Sequence, residues 1–366
     1  MKRERLLLVL FALCLLLTPA VLTIGGKSIV QAADVIQLNF NDQFPPTHML
    51  HLSAKYFADQ INKRTNGRVK ITLFPAGTLT SPDKIYDGVV TGMSEMGNTS
   101  VAYSAGRFPV AGACFVPNPS KTGWVASHMS NDFWFKFRPK ENDDVHMLYL
   151  TSSGSFHFAM TKKPVYKPED IKGLKIRASG TQMGAYVKAV GARPMNMPMS
   201  EVYEAASKGI VDGFLVPWDT QKTFRHAEVT RYFVVLPIAS SAPNYTFMNL
   251  RKWNSLPKDI QDIFTQLSTE MVEVYGRAWW YVDTEGEKYF RGLGGDRKVI
   301  EIPPDEAQQW IDLLSPIGEQ YIKEYTAKGF PAKEYVDYVL ERAKYWNQKQ
   351  PPREEVMKWV KDNLIK

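Results

Sequence analysis

An α/β fold in two lobes is predicted by three features of the sequence. The 366 residues suit two ordinary hydrophobic cores better than one large core. Residues 36–91 alternate between strand and helix patterns, which is typical of a doubly wound sheet. Residues 168–217 then follow the order strand, helix, helix and strand. The small residues 152–155 between the two stretches suit a crossing from one domain to the next.

The N-terminus predicts export. Lys2, Arg3 and Arg5 form a basic segment, residues 6–17 are almost all apolar, and Val30-Gln31-Ala32 offers small residues for signal peptidase. We therefore expect residues 1–32 to be a cleaved signal peptide. A retained membrane anchor is the alternative, although proline and glycine residues interrupt the apolar segment.

The charge balance favours small anionic ligands. The 45 Lys and Arg residues exceed the 38 Asp and Glu residues by seven, and the excess falls to +4 without residues 1–32, which hold four basic residues and one acidic residue. A mild positive balance attracts small anions. No block of basic residues contains interleaved aromatic residues, so we expect no nucleic-acid partner. Cys114 is the one cysteine outside the signal peptide, and its apolar neighbours predict a buried structural thiol.

The first lobe begins with the alternating strand Ile36–Phe40, and Phe44 follows in the loop at its carboxyl end. Ligands of open α/β sheets lie beyond this end of the strands. A helix and a second strand fill residues 49–74. Asn98 and Thr99 stand at the next crossing from strand to loop, where they are either hydrogen-bond partners of a ligand or turn residues.

The second lobe contains an arginine at the tip of a strand. Leu174–Arg177 alternates between apolar and basic residues, helical spacing follows over residues 181–190, and Ile210–Pro217 predicts a second buried strand. The planar guanidinium of Arg177 matches a carboxylate and keeps its charge. A surface ion pair is the alternative for an arginine considered alone.

Helices dominate the C-terminal third. Helical periodicity runs from Pro257 to about Phe290, which is long enough to span both lobes. Val299–Ile302 predicts a last strand. The chain from residue 331 onward predicts amphipathic helices that break at Gln350-Pro351-Pro352.

Four spaced motifs occur in the second lobe, in this order: the segment PEDIKGLKIR at 168–177, Gly191-Ala192-Arg193-Pro194, Ser200-Glu201-Val202-Tyr203-Glu204-Ala205, and Val211-Asp212-Gly213 leading to Pro217. Together they resemble the solute-binding proteins of tripartite ATP-independent periplasmic (TRAP) transporters, the DctP-like family. The strand, loop and helix around residues 36–79 and the Trp253–Ile260 segment are similar to the same family.

The resemblance implies a two-lobed periplasmic binding protein fold with the ligand cleft between the lobes and a long helix across both. It places lobe I at 33–153 with 243–281, lobe II at 154–242 with 282–335, and helices packed on the body at 336–366. It also implies a monomer in the periplasm that captures a small organic acid and delivers it to the small and large membrane subunits of a TRAP permease. Arg177 would anchor the carboxylate.

Further ligand contacts follow from the same resemblance. The expected residues besides Arg177 are Trp218, His157, Tyr245, Thr99, Asn98, Phe44, Asn244 and Ser179. Two positions differ from known members. Some carry a second basic residue where this chain has His157, which is either exposed in the cleft or a buried, satisfied imidazole. Sialic-acid-binding members carry Asn where this chain has Val216.

One assured cation predicts a monocarboxylate, and Phe44, Trp218 and Tyr245 suggest an apolar or aromatic body for the ligand. Each of these three is otherwise a core residue. Asp219 could accept a hydrogen bond from a ligand, but a solvated surface carboxylate is the simpler expectation.

No enzyme, cofactor or metal is predicted. The chain lacks a Gly-x-Ser-x-Gly elbow, a P-loop and a Gly-x-Gly-x-x-Gly motif after a strand, and its six histidines are spread along the whole chain. A periplasmic sensing subunit that presents its closed form to a membrane receptor is the alternative function. It would use the same cleft.

Overall fold

Two mixed β-sheets organise residues 35–104 and 106–365, the part of the chain that the computed structural model describes. The predicted signal peptide, with Cys14, lies outside these residues. The first sheet has the order β2-β1-β3-β10-β4. Its strands are β1 (Ile36–Asp42), β2 (Val69–Phe74), β3 (Met96–Ser100), β4 (Val145–Ser152) and β10 (Pro243–Asn249). β1 is parallel to β2 and β3, and β10 pairs antiparallel with β3 and β4.

The second sheet has the order β11-β9-β5-β8-β6-β7. Its strands are β5 (His157–Met160), β6 (Lys175–Ala178), β7 (Arg193–Asn196), β8 (Gly213–Val216), β9 (Tyr232–Val235) and β11 (Lys298–Glu301). β6 is parallel to β7 and β8, whereas β5 pairs antiparallel with β8 and β9. The chain crosses between the sheets after β4 and returns after β9, so the two-lobed α/β fold expected from the sequence is confirmed.

Thirteen α-helices cover the two sheets within the described residues. They are α1 (Met49–Arg64), α2 (Ile85–Thr91), α3 (Gly123–Phe137), α4 (Pro168–Ile171), α5 (Thr181–Ala189), α6 (Met199–Ser207), α7 (Thr220–Thr223), α8 (Leu250–Ser255), α9 (Lys258–Leu293), α10 (Pro304–Leu314), α11 (Pro316–Ala327), α12 (Ala332–Lys349) and α13 (Arg353–Leu364). In the part of the chain that the structure describes, none of them has the length and apolar character needed to cross a bilayer.

The unit from residue 168 to 217 contains one strand more than the sequence predicts. β7 lies between the two predicted helices and forms the edge of the second sheet. The second predicted strand is shorter than expected, because β8 begins at Gly213 and Ile210 is exposed. Arg177 lies one residue before the end of β6, as the alternation indicates.

The long helix α9 packs on both lobes. Its 36 residues span about 54 Å at 1.5 Å per residue. Its first half is part of the core that contains β1, α1 and β4, where Phe264 packs edge-on against Phe57. Near its other end, Phe290 packs with Trp218 and Phe233 of the second lobe. The sequence predicted this span.

Cys114 is fully buried in an apolar cluster with α3 and α12, as predicted. Burial raises the pKa of its thiol, so the side chain stays protonated and unreactive at neutral pH. Across 35–104 and 106–365, no group of three or more His, Cys, Asp or Glu side chains is arranged to hold a metal ion.

Candidate functional site

A cavity lies where loops from both sheets meet. It is bounded by the ends of β1 and β3 from the first sheet, by the ends of β6 and β8 from the second, and by the side of α9. This is the edge at which open α/β folds bind ligands. Its walls are formed by Gln43, Phe44, Pro82, Ser100, Tyr103, Ser153, Phe156, Ser179, Met199, Ser200, Pro217, Asp219, Phe224, Ala242, Asn244 and Trp279.

Aromatic rings form much of the wall. Phe44 and Trp279 meet edge to face with ring centroids 5.7 Å apart, and Phe156, Phe224 and Tyr103 complete the apolar surface. Rings supply large contact areas with few rotatable bonds. The cavity therefore suits a ligand with an apolar or flat body.

Hydrogen bonds hold another part of the cavity wall in place. The Gln43 amide donates to Asn244 Oδ1 at 2.8 Å, and the Asn244 amide donates to the Ala242 carbonyl at 3.1 Å. These bonds hold the loop after β1 against the start of β10. Phe44, Asn244 and Ser179 are the sequence-predicted residues that the structure places on the cavity surface.

Asp219 and His48 form a buried pair that joins the two lobes. Asp219, which follows β8, is only 2% exposed, so the expectation of a solvated surface carboxylate is wrong. Asp219 Oδ2 lies 3.0 Å from His48 Nε2. The His48 Nδ1 atom accepts the Leu50 backbone N–H at 3.1 Å as the cap of α1. Because Nδ1 accepts, Nε2 carries the ring proton and donates it to Asp219.

Arg177 lies behind the cavity wall. Its Nε donates to the Met197 carbonyl at 3.0 Å and its Nη1 to the Leu215 carbonyl at 3.4 Å. Its Nη2 has no partner among the described residues, although the side chain is fully buried. Burial lowers the pKa of Arg177, and the nearby Tyr103 hydroxyl partly opposes this effect.

The surroundings of Arg177 connect it to the cavity. Ser179 comes two residues after Arg177, just past the end of β6. Ser179 and Tyr103 both line the cavity. The buried guanidinium, with one donor atom unsatisfied, therefore lies close to Tyr103, a residue of the cavity wall.

His157 is a neutral, buried imidazole. It is 7% exposed, its Nδ1 accepts the Leu236 backbone N–H at 3.1 Å, and desolvation lowers its pKa to about 3. It lines a second cavity together with Trp218, Asp283 and Arg353 rather than the first cavity. Of the two readings that the sequence left open, the satisfied imidazole fits this geometry.

Four other predicted residues do not line the first cavity either. Trp218 stacks on Phe233 with ring centroids 3.6 Å apart. Tyr245 packs edge-on against Phe108 at 4.9 Å within the core. The remaining two make structural bonds from β3: the Asn98 amide donates to Thr246 Oγ1 at 2.8 Å, and Thr99 Oγ1 donates to the Pro82 carbonyl at 2.7 Å.

The sequence did not single out several residues of the cavity. The strongest omissions are Trp279, Tyr103 and the pairing of Asp219 with His48. Trp279 lies on α9, where its helical spacing alone predicts a core residue. His48 and Asp219 are 171 residues apart, and no local pattern indicates that they meet. The position of Asp219 just past a strand end was the one available signal.

The two lobes are in contact around the cavity. The Met199 backbone N–H from the second lobe donates to the Tyr103 hydroxyl of the first at 3.0 Å. At Gly180, before α5, a Cβ atom would lie 2.1 Å from the Ala102 carbonyl oxygen. These contacts join the second lobe to the first beside the cavity.

Solved structures with the same fold bind organic acids. A TRAP solute-binding protein from Bordetella bronchiseptica, with bound (R)- and (S)-mandelate, has a TM-score of 0.79 and 26% identity, covering 85% of this chain and 99% of that chain. A TRAP solute-binding protein from Rhodoferax ferrireducens T118, in complex with copurified benzoate, has a TM-score of 0.81 and 22% identity, covering 86% and 99%.

A sequence relative and a protein-family model also match this chain. The C4-dicarboxylate-binding periplasmic protein DctP of Vibrio cholerae is 22% identical over 307 residues, covering 76% of this chain and 84% of that protein. Residues 40–324 match the family described as bacterial extracellular solute-binding protein, family 7 (DctP). The chain therefore belongs to this family, as a DctP-like TRAP solute-binding protein.

Proposed function

We propose that this protein captures a small organic monocarboxylate in the cavity by closing its lobes, and that it delivers the ligand to the membrane subunits of a TRAP permease. Members of the family are transport proteins and not enzymes. The observation that carries the proposal is a set of buried donors around one cavity. Arg177 Nη2, Ser179 Oγ and Trp279 Nε1 all lack acceptors among the described residues.

A carboxylate would satisfy these donors. A buried guanidinium without a counter-charge is costly, because burial removes its hydration. No carboxylate in the described part of the chain bonds to Arg177. Two carboxylate oxygens offer about four acceptor positions, enough for the guanidinium and the neighbouring donors together.

A single anionic group fits better than two. Asp219 is the one charged residue among the described residues that line the cavity, and it would repel a second carboxylate. His157 does not supply a second cation, because its pKa of about 3 keeps it neutral. These two facts support the monocarboxylate and argue against the dicarboxylate preference that the name of the Vibrio relative carries.

The ligand body is proposed to be apolar or aromatic. The rings of Phe44, Trp279, Phe156 and Phe224 support this, and so does the mandelate bound to the Bordetella relative. We also propose a periplasmic location after removal of residues 1–32, and a monomeric state, since one chain supplies both sides of the cavity. Light scattering after size exclusion would test the monomer.

The first experiment is mass spectrometry of small acids carried through purification, followed by calorimetric titration of the acid identified. Arg177→Met should then weaken binding by about 2–5 kcal/mol, the cost of removing one partner of a buried charge pair. Arg277→Met is the matched control, because Arg277 is also poorly exposed but bonds to Glu273 and Glu355 away from the cavity. Its affinity should match the wild type.

Two outcomes would contradict the proposal. One is a clear preference for a dicarboxylate over the corresponding monocarboxylate. The other is retention of wild-type affinity by a folded Arg177→Met variant.

A further inference from the structure

One carboxylate oxygen in the cavity has no hydrogen-bond partner. Asp219 Oδ1 is buried and has no hydrogen-bond partner among the described residues. The other carboxylate oxygen, Oδ2, accepts a hydrogen bond from His48 Nε2. We infer that Asp219 determines ligand specificity by accepting a hydrogen bond from the ligand. The ligand would thus be a carboxylate that also bears a hydroxyl or ammonium group. The inference rests on the proposed function and adds the second recognition element.

The surroundings of Asp219 hold it in one orientation. Its backbone N–H donates to Asp283 Oδ1 of α9 at 3.1 Å, and its carbonyl accepts the Thr223 hydroxyl at 2.8 Å. At Gly286 of α9, a Cβ atom would lie 2.2 Å from the Trp218 carbonyl oxygen, so helix and strand end are in direct contact. With His48 bound to the other oxygen, Oδ1 has little freedom to turn towards another donor.

The protein itself offers no donor for this atom. Within residues 35–104 and 106–365, no Lys or Arg lines the cavity, and no lining hydroxyl or amide bonds to Oδ1. The lining donors that lack acceptors, Ser179 Oγ and Trp279 Nε1, complement the carboxylate of the ligand instead. A buried acceptor is rarely left without a donor in a folded protein. A ligand that carries a hydroxyl or ammonium group would supply the missing donor, as would a water molecule.

The lobe arrangement gives this bond a second role. His48 belongs to the first lobe and Asp219 to the second, so their contact forms only when the lobes approach each other. A ligand that donates a hydrogen bond to Oδ1 would bind an Asp219 side chain whose Oδ2 is already bonded to His48 of the first lobe. Recognition of the donor and closure of the lobes would thus favour each other.

The test uses matched series of acids that differ in one group. Calorimetry would compare phenylacetate with mandelate and phenylglycine, benzoate with 3-hydroxybenzoate and 3-aminobenzoate, and propionate with lactate and alanine. In at least one series, the wild type is expected to bind a hydroxyl or ammonium derivative about tenfold more tightly than the parent acid. Comparison of the two derivatives identifies which donor is preferred, and a water molecule at Oδ1 would give equal affinities instead.

Asp219→Asn should abolish that preference. His48 donates to the amide oxygen of the variant, so the amide NH₂ faces the cavity and no acceptor remains. Asp42→Asn is the matched control, because Asp42 is equally buried and bonds to His51 but does not line the cavity. Its ratio of affinities should equal that of the wild type.

The outcomes separate the inference from the proposed function. Equal affinities for parent and derivatives in every series would overturn the inference and leave carboxylate capture intact. A preference that persists in Asp219→Asn would also overturn it. Should Asp219→Asn fail to fold, His48→Asn keeps a helix-capping side chain but is too short to hold Asp219, and it should reduce the same preference. Absence of any acid binding would reject both.

Discussion

At the scale of single residues, His226 is a source of acid sensitivity. Its ring is fully buried next to Phe214 and Phe224, with centroids 4.9 Å and 5.8 Å away. Neither ring nitrogen has a partner among the described residues. Desolvation, together with a smaller contribution from the charge of Arg177, lowers its pKa to about 3. Protonation of His226 would therefore place a second buried cation near the first.

We expect His226→Phe to make the protein less sensitive to acid. The unfolded chain takes up a proton on this histidine near pH 6.5 and the folded protein only near pH 3, so stability falls as the pH falls through this window. Between pH 7 and pH 5 the loss is about 2 kcal/mol. Urea unfolding at both pH values should show a smaller loss in the variant than in the wild type.

Comparing the stability loss of the variant with that of the wild type removes the contribution of other titrating groups. One of these is Glu141, whose pKa burial raises to about 7. Glu141 acts in the opposite direction, because its stabilising effect is lost as the pH rises. Parallel pH profiles for His226→Phe and the wild type would show that His226 titrates normally in the folded protein.

At the scale of elements, the approach of α5 to the first lobe controls closure. Gly180 precedes the helix with a φ of 143°, and a Cβ there would lie 2.1 Å from the carbonyl oxygen of Ala102. Only glycine allows this contact, because the backbone of one lobe touches the backbone of the other. We expect this contact to be lost when the lobes separate.

Gly180→Ala is therefore expected to hold the lobes apart. The affinity for the ligand should fall about tenfold or more, and small-angle scattering should show no compaction when ligand is added. Gly184→Ala is the control on the same helix, because its Cβ would meet only Pro194 and Asn196 at 3.6 Å and 3.7 Å. Compaction of the Gly180→Ala variant to the wild-type radius would contradict this role.

Elements with strong local signals could be predicted from the sequence, whereas edges and contacts between lobes could not. The sequence predicts the strand β2 up to residue 74, and helical periodicity from Pro257 to about Phe290 predicts both ends of α9 closely. β7 was missed because Arg193-Pro194-Met195-Asn196 contains a proline and few buried side chains, which only an edge strand tolerates. The Arg177 position follows from one strand, but the Asp219–His48 pair depends on how two lobes meet.

At the scale of the whole molecule, the C-terminal helix supports the fold without taking part in the cavity. Val356, Val360 and Leu364 of α13 are buried against the first lobe and α9. None of its residues lines the first cavity. Stability and ligand binding are thus separable at this end of the chain.

Val360→Ala should lower the free energy of unfolding by about 2 kcal/mol, because it leaves a cavity at a fully buried position. The affinity for the ligand at 25 °C should stay within a factor of two. Thermal unfolding and calorimetry measure the two quantities independently. A loss of affinity in the folded variant would show that α13 influences the cleft.

The long helix α9 also determines how a solute can pass in and out. One unbroken helix is packed on both lobes, and its Trp279 forms part of the cavity wall. That side of the cavity is covered by α9. A solute is therefore expected to enter and leave on the sides that α9 does not cover. Capture of the solute and its release to the membrane subunits would then both use the part of the cleft that α9 leaves open.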